Sequence, residues 1–237
     1  MADPAASGWQ RLRGRLTGHT VQSWVVDAND GIIATAGLLE GFAGAGADDS
    51  LLVTAAMAAT IAGALSAGGA KWAEEASERD AQLATIAYER QKLASSPEDE
   101  LAELTDYYVQ RGVEPDLARQ VAEQLDAADP LAAQLETEYG IDEIPPARAP
   151  VVAGISTGIA FAVGASIPLL ITILAPFTLD ALAILLAVVI SLSLTSIIAA
   201  RSSYLSAPRT IIRSLFVGIG TMAVSYAAGL ALLPPAD

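Results

Sequence analysis

The sequence has no cysteine and a single histidine, His19, among its 237 residues. Without cysteine, the chain can form no disulfides, thiolate metal sites or iron–sulfur clusters. One histidine cannot supply the imidazole set that zinc and copper sites usually need. No nucleophile and base are evident around His19 either, so the pattern does not indicate an enzyme.

Basic residues are also scarce, with 13 lysines and arginines against 27 aspartates and glutamates and a formal net charge of −14. The imbalance lies within residues 74–143, which hold 19 acidic and 5 basic residues. Such a segment does not bind nucleic acid through phosphate contacts. It attracts cations instead.

Long apolar runs dominate the remaining sequence, and 53% of all residues are hydrophobic. Each run is close to the ~20 residues that cross a bilayer core as a helix. The runs are continuously apolar rather than alternating, which predicts membrane helices and excludes a soluble enzyme. Five spans are predicted, over residues 24–44, 51–70, 151–175, 177–200 and 210–233.

Arginines indicate the orientation of these spans, because positively charged loops stay in the cytoplasm. Three precede the first span and three surround the loop near 201–209; they are Arg11, Arg13, Arg15, Arg201, Arg209 and Arg213. The segments 1–23 and 71–148 are therefore expected in the cytoplasm. In this interpretation the first two spans occupy 24–70 and the last three lie within 149–237. A prokaryotic source would imply the plasma membrane.

The segment 71–148 is predicted to form a bundle of three helices, the first of which continues the second membrane helix into water. The second helix begins at Ser96-Pro97, with serine as N-cap, and ends at Gly112. The third begins at Glu114-Pro115, and Pro130 is expected to break or kink it. The predicted fold class is therefore all-α, with five membrane helices and a cytoplasmic bundle.

Two Gly-xxx-Gly patterns, Gly37–Gly41 and Gly154–Gly158, lie within predicted membrane helices. Small residues at this spacing allow helices to approach closely. Ordinary packing within the chain is the favoured interpretation, and a dedicated dimer motif is the alternative.

The first apolar run contains three carboxylates, Asp27, Asp30 and Glu40. Acidic residues inside a membrane helix are costly and mark routes for ions or protons. Asp30 is the main candidate for such a route, since it lies one helical turn deeper in the predicted span than Asp27. The alternative is a position at the headgroup level, where an acid remains hydrated.

The cytoplasmic segment carries further candidates for cation binding. Glu100 and Glu103 share one helix face, and Glu89 closes the preceding helix. Glu136 and Glu138 lie late in the third helix. Carboxylates without cysteine or histidine suit Mn²⁺, Fe²⁺, Mg²⁺ or Ca²⁺. A solvated acidic face is the simpler alternative.

Several stretches together resemble the vacuolar iron transporter family, which includes the nodulin-21-like proteins and prokaryotic members. The first two helices contribute DANDGIIATAGLLEGFAG and IAGALSAGGAKWAEEASERD. The cytoplasmic helices contribute YERQKLASSPEDELAELTDYYVQRGVEPDLARQVAEQL, and the third span contributes GASIPLL. The order and spacing of these stretches carry the resemblance over nearly the whole chain.

The resemblance implies a homodimer with five membrane helices per subunit and a metal path between the subunits. The implied activity is proton-coupled export of Fe²⁺, or of Mn²⁺ in some members, with no permanently bound cofactor. Asp30 then corresponds to the acid in the path, with Asp27 near its entrance and Ser66 on the second helix. The metal-binding residues of the cytoplasmic helices correspond to Glu89, Glu100, Glu103 and Glu138, with Glu136 as a weaker candidate.

The chain departs from the family pattern at metal-binding positions. Ala67 replaces a methionine whose sulfur contacts the ion, which favours all-oxygen coordination and Mn²⁺. Lys71 and Lys92 stand where glutamates are common, and Gln134-Leu135 stands where methionines are expected. Glu40 is outside the family pattern and could supply an oxygen ligand in place of the methionine. The alternative function is therefore a membrane-bound metal sensor or scaffold that has lost transport.

Overall fold

The computed structural model describes residues 4–174, 180–203 and 206–232, with side chains over 21–174, 184–201 and 206–232. All regular elements of these ranges are α-helices, which confirms the all-α prediction. In chain order they are α1 (Pro4–Gly44), α2 (Asp49–Ser95), α3 (Pro97–Gln110), α4 (Pro115–Ala128), α5 (Pro130–Tyr139), α6 (Ala149–Leu174), α7 (Asp180–Ser203) and α8 (Ala207–Leu232).

Some residues used in the sequence predictions lie outside the described part of the chain. They include the ends of three predicted spans, at residues 175, 177–179 and 233. The side chains of the three N-terminal arginines and of His19 are outside it as well.

The chain divides into two compact units. The first, called the membrane unit here, comprises Met1–Trp72 and Val151–Asp237. The second, called the acidic unit, comprises Ala73–Pro150. Helix α2 is one continuous helix of 47 residues, as predicted, and it contributes residues to both units.

Four helices in the described ranges are long and apolar enough to cross a membrane. They lie over Asp49–Ser95, Ala149–Leu174, Ile184–Arg201 and Ala207–Leu232. These match the second to fifth predicted spans. The first predicted span, 24–44, lies in α1 and is not among the four. Its three carboxylates make this run less apolar than the other four predicted spans.

Helix α1 nevertheless lies in the interior of the membrane unit, where it packs against α7 and α8. Its residues Ile32 and Leu39 are buried in one core with Val188 and Leu192 of α7 and Met222 of α8. The helix also begins at Pro4, about twenty residues before the predicted span. Proline fits the first turn of a helix, and no proline interrupts the sequence from there to Gly44.

The two Gly-xxx-Gly patterns pack helices of one chain against each other. Gly37 and Gly41 of α1 lie against Ser225 of α8. Gly154 and Gly158 of α6 lie against Gly68 of α2. Both contacts fit the interpretation of ordinary packing.

In the acidic unit, a proline opens each of α3, α4 and α5. The predicted third helix is broken rather than kinked at Pro130, where Asp129 accepts a hydrogen bond of 3.0 Å from the backbone N–H of Ala132. Residues 73–139 thus form four helical segments instead of three. Ser96 is the N-cap of α3 as predicted, but its side chain makes no capping hydrogen bond.

The core of the acidic unit is small. Leu104 of α3, Ala122 of α4 and Ala133 of α5 are buried together, with Leu101 and Tyr108 packed against them. Gly112 and Gly140 end α3 and α5 with positive φ angles of 90° and 66°, a conformation that glycine adopts without strain. Because the apolar core is small, one face of the acidic unit is occupied by carboxylates instead.

Candidate metal-binding site

Three helices of the acidic unit bring carboxylates to one point. Glu89 on α2, Glu100 on α3 and Glu138 on α5 each offer an oxygen, and these oxygens lie within 4.8 Å of one another. Glu103 lies one turn after Glu100 on the same face of α3. Glu89, Glu100, Glu103 and Glu138 are called the carboxylate cluster below.

The cluster has a buried floor and an exposed rim. The side chains of Glu89 and Glu100 are 0% and 2% exposed, whereas those of Glu103 and Glu138 are 58% and 38% exposed. Fully buried glutamates are rare in proteins unless a cation or hydrogen-bond donors accompany them. A cation is therefore expected at this point.

The ammonium group of Lys92 supplies such a cation. Its Nζ atom lies close to one oxygen of every carboxylate in the cluster. The distances are 3.1 Å to Glu100 Oε1, 3.3 Å to Glu103 Oε2, 3.5 Å to Glu138 Oε2 and 3.8 Å to Glu89 Oε2. The lysine that replaces an expected glutamate thus lies at the centre of the cluster.

Two further side chains hold the cluster together. The hydroxyl of Tyr139 donates to Glu89 Oε2 at 3.3 Å, which joins α5 to α2. The amide of Gln134 donates to the backbone carbonyl of Glu100 at 2.6 Å, which joins α5 to α3. Gln134 and Leu135 are both buried, so the positions where methionine ligands were expected serve packing and hydrogen bonding.

Burial is the main cause of a shifted pKa at Glu89. It raises the pKa of Glu89 to about 7; the neighbouring carboxyl group of Glu100 adds to the rise, and Lys92 partly offsets it. Burial alone would lower the pKa of Lys92, but hydrogen bonds to Glu100 and Glu103 raise it above its usual range. Lys92 therefore stays charged at neutral pH, while Glu89 keeps its proton to a higher pH than an exposed glutamate does.

A polar cavity of about 280 Å³ adjoins the exposed rim. Its lining includes both rim glutamates and is otherwise formed by Asp106, Tyr107, Gln110, Gln134 and Thr137. Asp106 was not among the predicted ligands. Its spacing of three residues from Glu103 continues the acidic face of α3 and could have indicated it.

Glu136 does not join the cluster. It is exposed and lines a different cavity, of about 370 Å³, together with residues 141–144 and others. Residues two apart on a helix point in different directions, so Glu136 and Glu138 cannot share one site easily.

In the membrane unit, the acidic residues of α1 take separate environments. Asp27 Oδ2 accepts a hydrogen bond of 2.9 Å from Thr157 of α6. Asp30 is exposed on the surface of the chain, as is Ser66 of α2. Glu40 is 8% exposed and therefore buried. The structure of one chain thus does not gather the four predicted path residues.

Sequence reasoning missed Asn29, whose Oδ1 accepts a hydrogen bond of 2.6 Å from Thr195 of α7. A neutral amide between two aspartates carries no sequence signal of a contact, and the partner of Asn29 is 166 residues away in sequence. Together, Asp27 and Asn29 tie α1 to two neighbouring helices by side-chain hydrogen bonds.

The contact between α1 and α6 is close because both helices present glycine. A Cβ atom at Gly31 would collide with the backbone carbonyl of Phe161, and one at Gly164 would collide with the carbonyl of Ala28. This approach brings Thr157 within hydrogen-bond reach of Asp27. It also fixes the position of Asp30, which directly precedes Gly31.

These features define a multi-pass membrane protein with an acidic helical unit that carries a carboxylate cluster. The sequence profile of the VIT family matches residues 21–230. The chain therefore belongs to the VIT family, which confirms the resemblance noted from its motifs.

Individual relatives agree with this assignment. The chain is 35% identical over 174 residues to a vacuolar iron transporter of Acanthamoeba castellanii, covering 73% of this chain and 63% of that protein. It is 30% identical over 167 residues to vacuolar iron transporter 1 of Arabidopsis thaliana, covering 69% and 66%. The matched segment thus spans just under two thirds of each of these relatives. A match to vacuolar iron transporter 1 of Tulipa gesneriana, at 26% identity, covers 90% of this chain and 87% of that protein.

Proposed function

We propose that this protein is a secondary transporter that exports Fe²⁺ or Mn²⁺ from the cytoplasm in exchange for protons. Membership of the VIT family and the names of its relatives support transport of a metal ion. The single observation that carries the proposal is Asp30, a carboxylate exposed on the surface of the membrane unit. A charged group facing hydrocarbon is costly, so such groups face a polar path or a partner.

A homodimer gives Asp30 such a partner. Ser66 of α2 is exposed as well, so a second copy that covers α1 and α2 would line one path with both residues. In this arrangement α1 crosses the membrane as a fifth span, and residues 1–23 and 71–148 face the cytoplasm. The packing of α1 against α7 and α8 supports a membrane-crossing role, because both of these helices are apolar enough to cross a membrane.

The ligand set favours Mn²⁺ over softer ions. The proposed path residues Asp27, Asp30 and Ser66 offer oxygen, and Ala67 cannot ligate. Glu40 is buried about 15 Å farther along α1 than Asp30 and would offer an oxygen ligand at a separate point of the path. Oxygen ligands suit Mn²⁺, whereas loss of a thioether weakens sites for softer metals.

The test is uptake of Fe²⁺, Mn²⁺, Co²⁺ and Zn²⁺ into proteoliposomes of the purified chain with an imposed pH gradient. Uptake is expected to depend on the gradient, and Asp30→Asn is expected to lower it at least tenfold while the dimer remains folded. Asp49→Asn, at the start of α2, is the matched control and should retain uptake. Undiminished uptake by Asp30→Asn would refute the role of Asp30.

The second candidate is a metal sensor or scaffold without transport, and the position of Lys92 favours it. A tethered cation in the carboxylate cluster lowers the capacity of the acidic unit to collect ions. This candidate predicts no uptake of any of the four ions by folded, dimeric protein. The same proteoliposome experiment therefore separates the two candidates.

A further inference from the structure

We propose that Lys92 is a built-in cation of the carboxylate cluster, and that a divalent ion binds there only when the ammonium group leaves. The inference depends on the proposed function for the choice of ions alone. Binding by the acidic unit can be measured whether or not the protein transports. The protein would then hold a metal site that its own side chain closes.

The spacing of the oxygens fits a metal ion. Mg²⁺ and Ca²⁺ hold oxygen ligands at about 2.0–2.6 Å, so oxygens on opposite sides of an ion lie about 4–5 Å apart. The oxygens of Glu89, Glu100 and Glu138 lie within 4.8 Å of one another. Small side-chain movements would therefore bring these three carboxylates around one ion.

The ammonium compensates the cluster incompletely. It offers three N–H donors and one positive charge to four carboxylates, so three negative charges remain when all are ionised. Glu89 Oε1 and Glu100 Oε2 are buried and have no hydrogen-bond partner in the part of the chain that the structure describes. A divalent ion would bring twice the charge and room for six or more ligands.

The geometry also allows the ammonium group of Lys92 to move away from the carboxylate cluster. The side chain of Lys92 is 22% exposed, and its partners Glu103 and Glu138 are exposed rim residues. Both line the polar cavity of about 280 Å³, which also offers the carboxylate of Asp106. The flexible four-carbon stem of lysine allows Nζ to move toward this cavity while α2 stays in place.

Because the ammonium group of Lys92 belongs to the chain and competes with metal for the carboxylates, it has two effects. Metal binding must displace an ion pair, so the affinity of the native cluster is lower than that of the same carboxylates without lysine. In the absence of metal, the ammonium offsets repulsion among the glutamates and keeps α2, α3 and α5 together. The cluster thus retains its shape at low ion concentration and takes up metal only when the ion is abundant.

Mn²⁺ binding to the full-length protein in detergent tests this inference. Lys92→Met removes the charge and keeps most of the apolar stem, and Arg119→Met is the matched control. Arg119 is 71% exposed and pairs only with Glu123 among the described ion pairs, so its loss changes the net charge equally but away from the cluster. Calorimetric titration should give a Kd for Lys92→Met at least tenfold lower than for the native chain or Arg119→Met.

Thermal unfolding supplies a second readout. Without metal, Lys92→Met should unfold at a lower temperature than the native protein, and Mn²⁺ should raise its Tm more than it raises the native value. If this variant does not fold, Lys92→Gln keeps hydrogen-bond donors without the charge and should show the same gain in affinity.

The gain in Mn²⁺ affinity of the lysine variant must also depend on the carboxylate cluster. Adding Glu100→Gln to the lysine variant should reverse most of the gain in Mn²⁺ affinity, which excludes binding at Asp30 as its source. Equal Mn²⁺ affinity of the native chain and of the folded lysine variants would overturn the inference, as would an equal gain for Arg119→Met. Loss of transport in proteoliposomes would bear on the proposed function and leave these results unchanged.

Discussion

Replacement of Glu89 by glutamine is expected to stabilise the protein at high pH and to remove a pH dependence of its stability. Glu89 is 0% exposed, and burial raises its pKa to about 7 from an ordinary value of 4.5. The folded protein therefore holds a proton on Glu89 that the unfolded chain has already lost between these two pH values. The favourable contribution of protonated Glu89 is complete below pH 4.5 and disappears as the pH rises through about 7.

The size of the effect follows from this pKa shift. One pKa unit corresponds to 1.36 kcal/mol, so native stability should fall by about 3 kcal/mol between pH 4.5 and 8 on account of this residue. Glutamine has nearly the same shape and never ionises. Glu89→Gln should therefore match the native protein near pH 5 and exceed its stability by as much as about 3 kcal/mol at pH 8.

Thermal unfolding of the full-length protein in detergent, recorded from pH 4.5 to 8 without divalent ions, measures this difference. Glu136→Gln is the control, because Glu136 is exposed and lies outside the cluster. The difference in Tm between Glu89→Gln and the native protein should grow with pH, whereas that of the control should stay flat. A glutamine variant that is less stable than the native protein by the same amount at pH 5 and pH 8 would refute the reasoning.

Two further substitutions test the helix ends and the helix packing. Asp129→Ala removes the side chain that caps α5 through the N–H of Ala132, and loss of such a cap should lower stability by about 1 kcal/mol, measured by chemical denaturation; unchanged stability would mean that the cap contributes nothing. Gly31→Ala introduces a methyl group against the backbone carbonyl of Phe161 and should destabilise the membrane unit by about 1–3 kcal/mol, seen as a lower Tm. Gly220→Ala, with open space around its Cβ, is the control for the second substitution, and equal Tm values for the two variants would contradict the close packing of α1 on α6.

Helix boundaries in the acidic unit were predictable because local chemistry sets them. Proline at a first turn and glycine at a helix end act through the backbone of a few neighbouring residues. The break at Pro130 is set by the same local chemistry, so the proline alone was enough to predict a break or a kink there. The N-terminal extension of α1 was missed because the apolar pattern that marks a membrane span does not extend to Pro4.

The candidate site was only partly predictable. The sequence placed Glu89, Glu100 and Glu138 on three helices, and it showed that Lys92 stands where a glutamate is common. It could not show that Glu100 is 2% exposed, because burial of a glutamate depends on a partner from another helix. The contact between Gln134 and the backbone of Glu100 spans 34 residues and leaves no local pattern.

Because the chain is synthesised from its N-terminus, the two units can be completed at different times. All residues of the acidic unit are contiguous, so its carboxylate cluster can assemble before α7 and α8 have been made. Helix α1 depends on helices that come much later, because its core partners Val188 and Leu192 follow its end by more than 140 residues. At translation rates of about 5–20 residues per second, α1 waits on the order of 10 s before α7 can cover it. The helix that carries the three carboxylates of the membrane unit is therefore the first to be made and among the last to be buried.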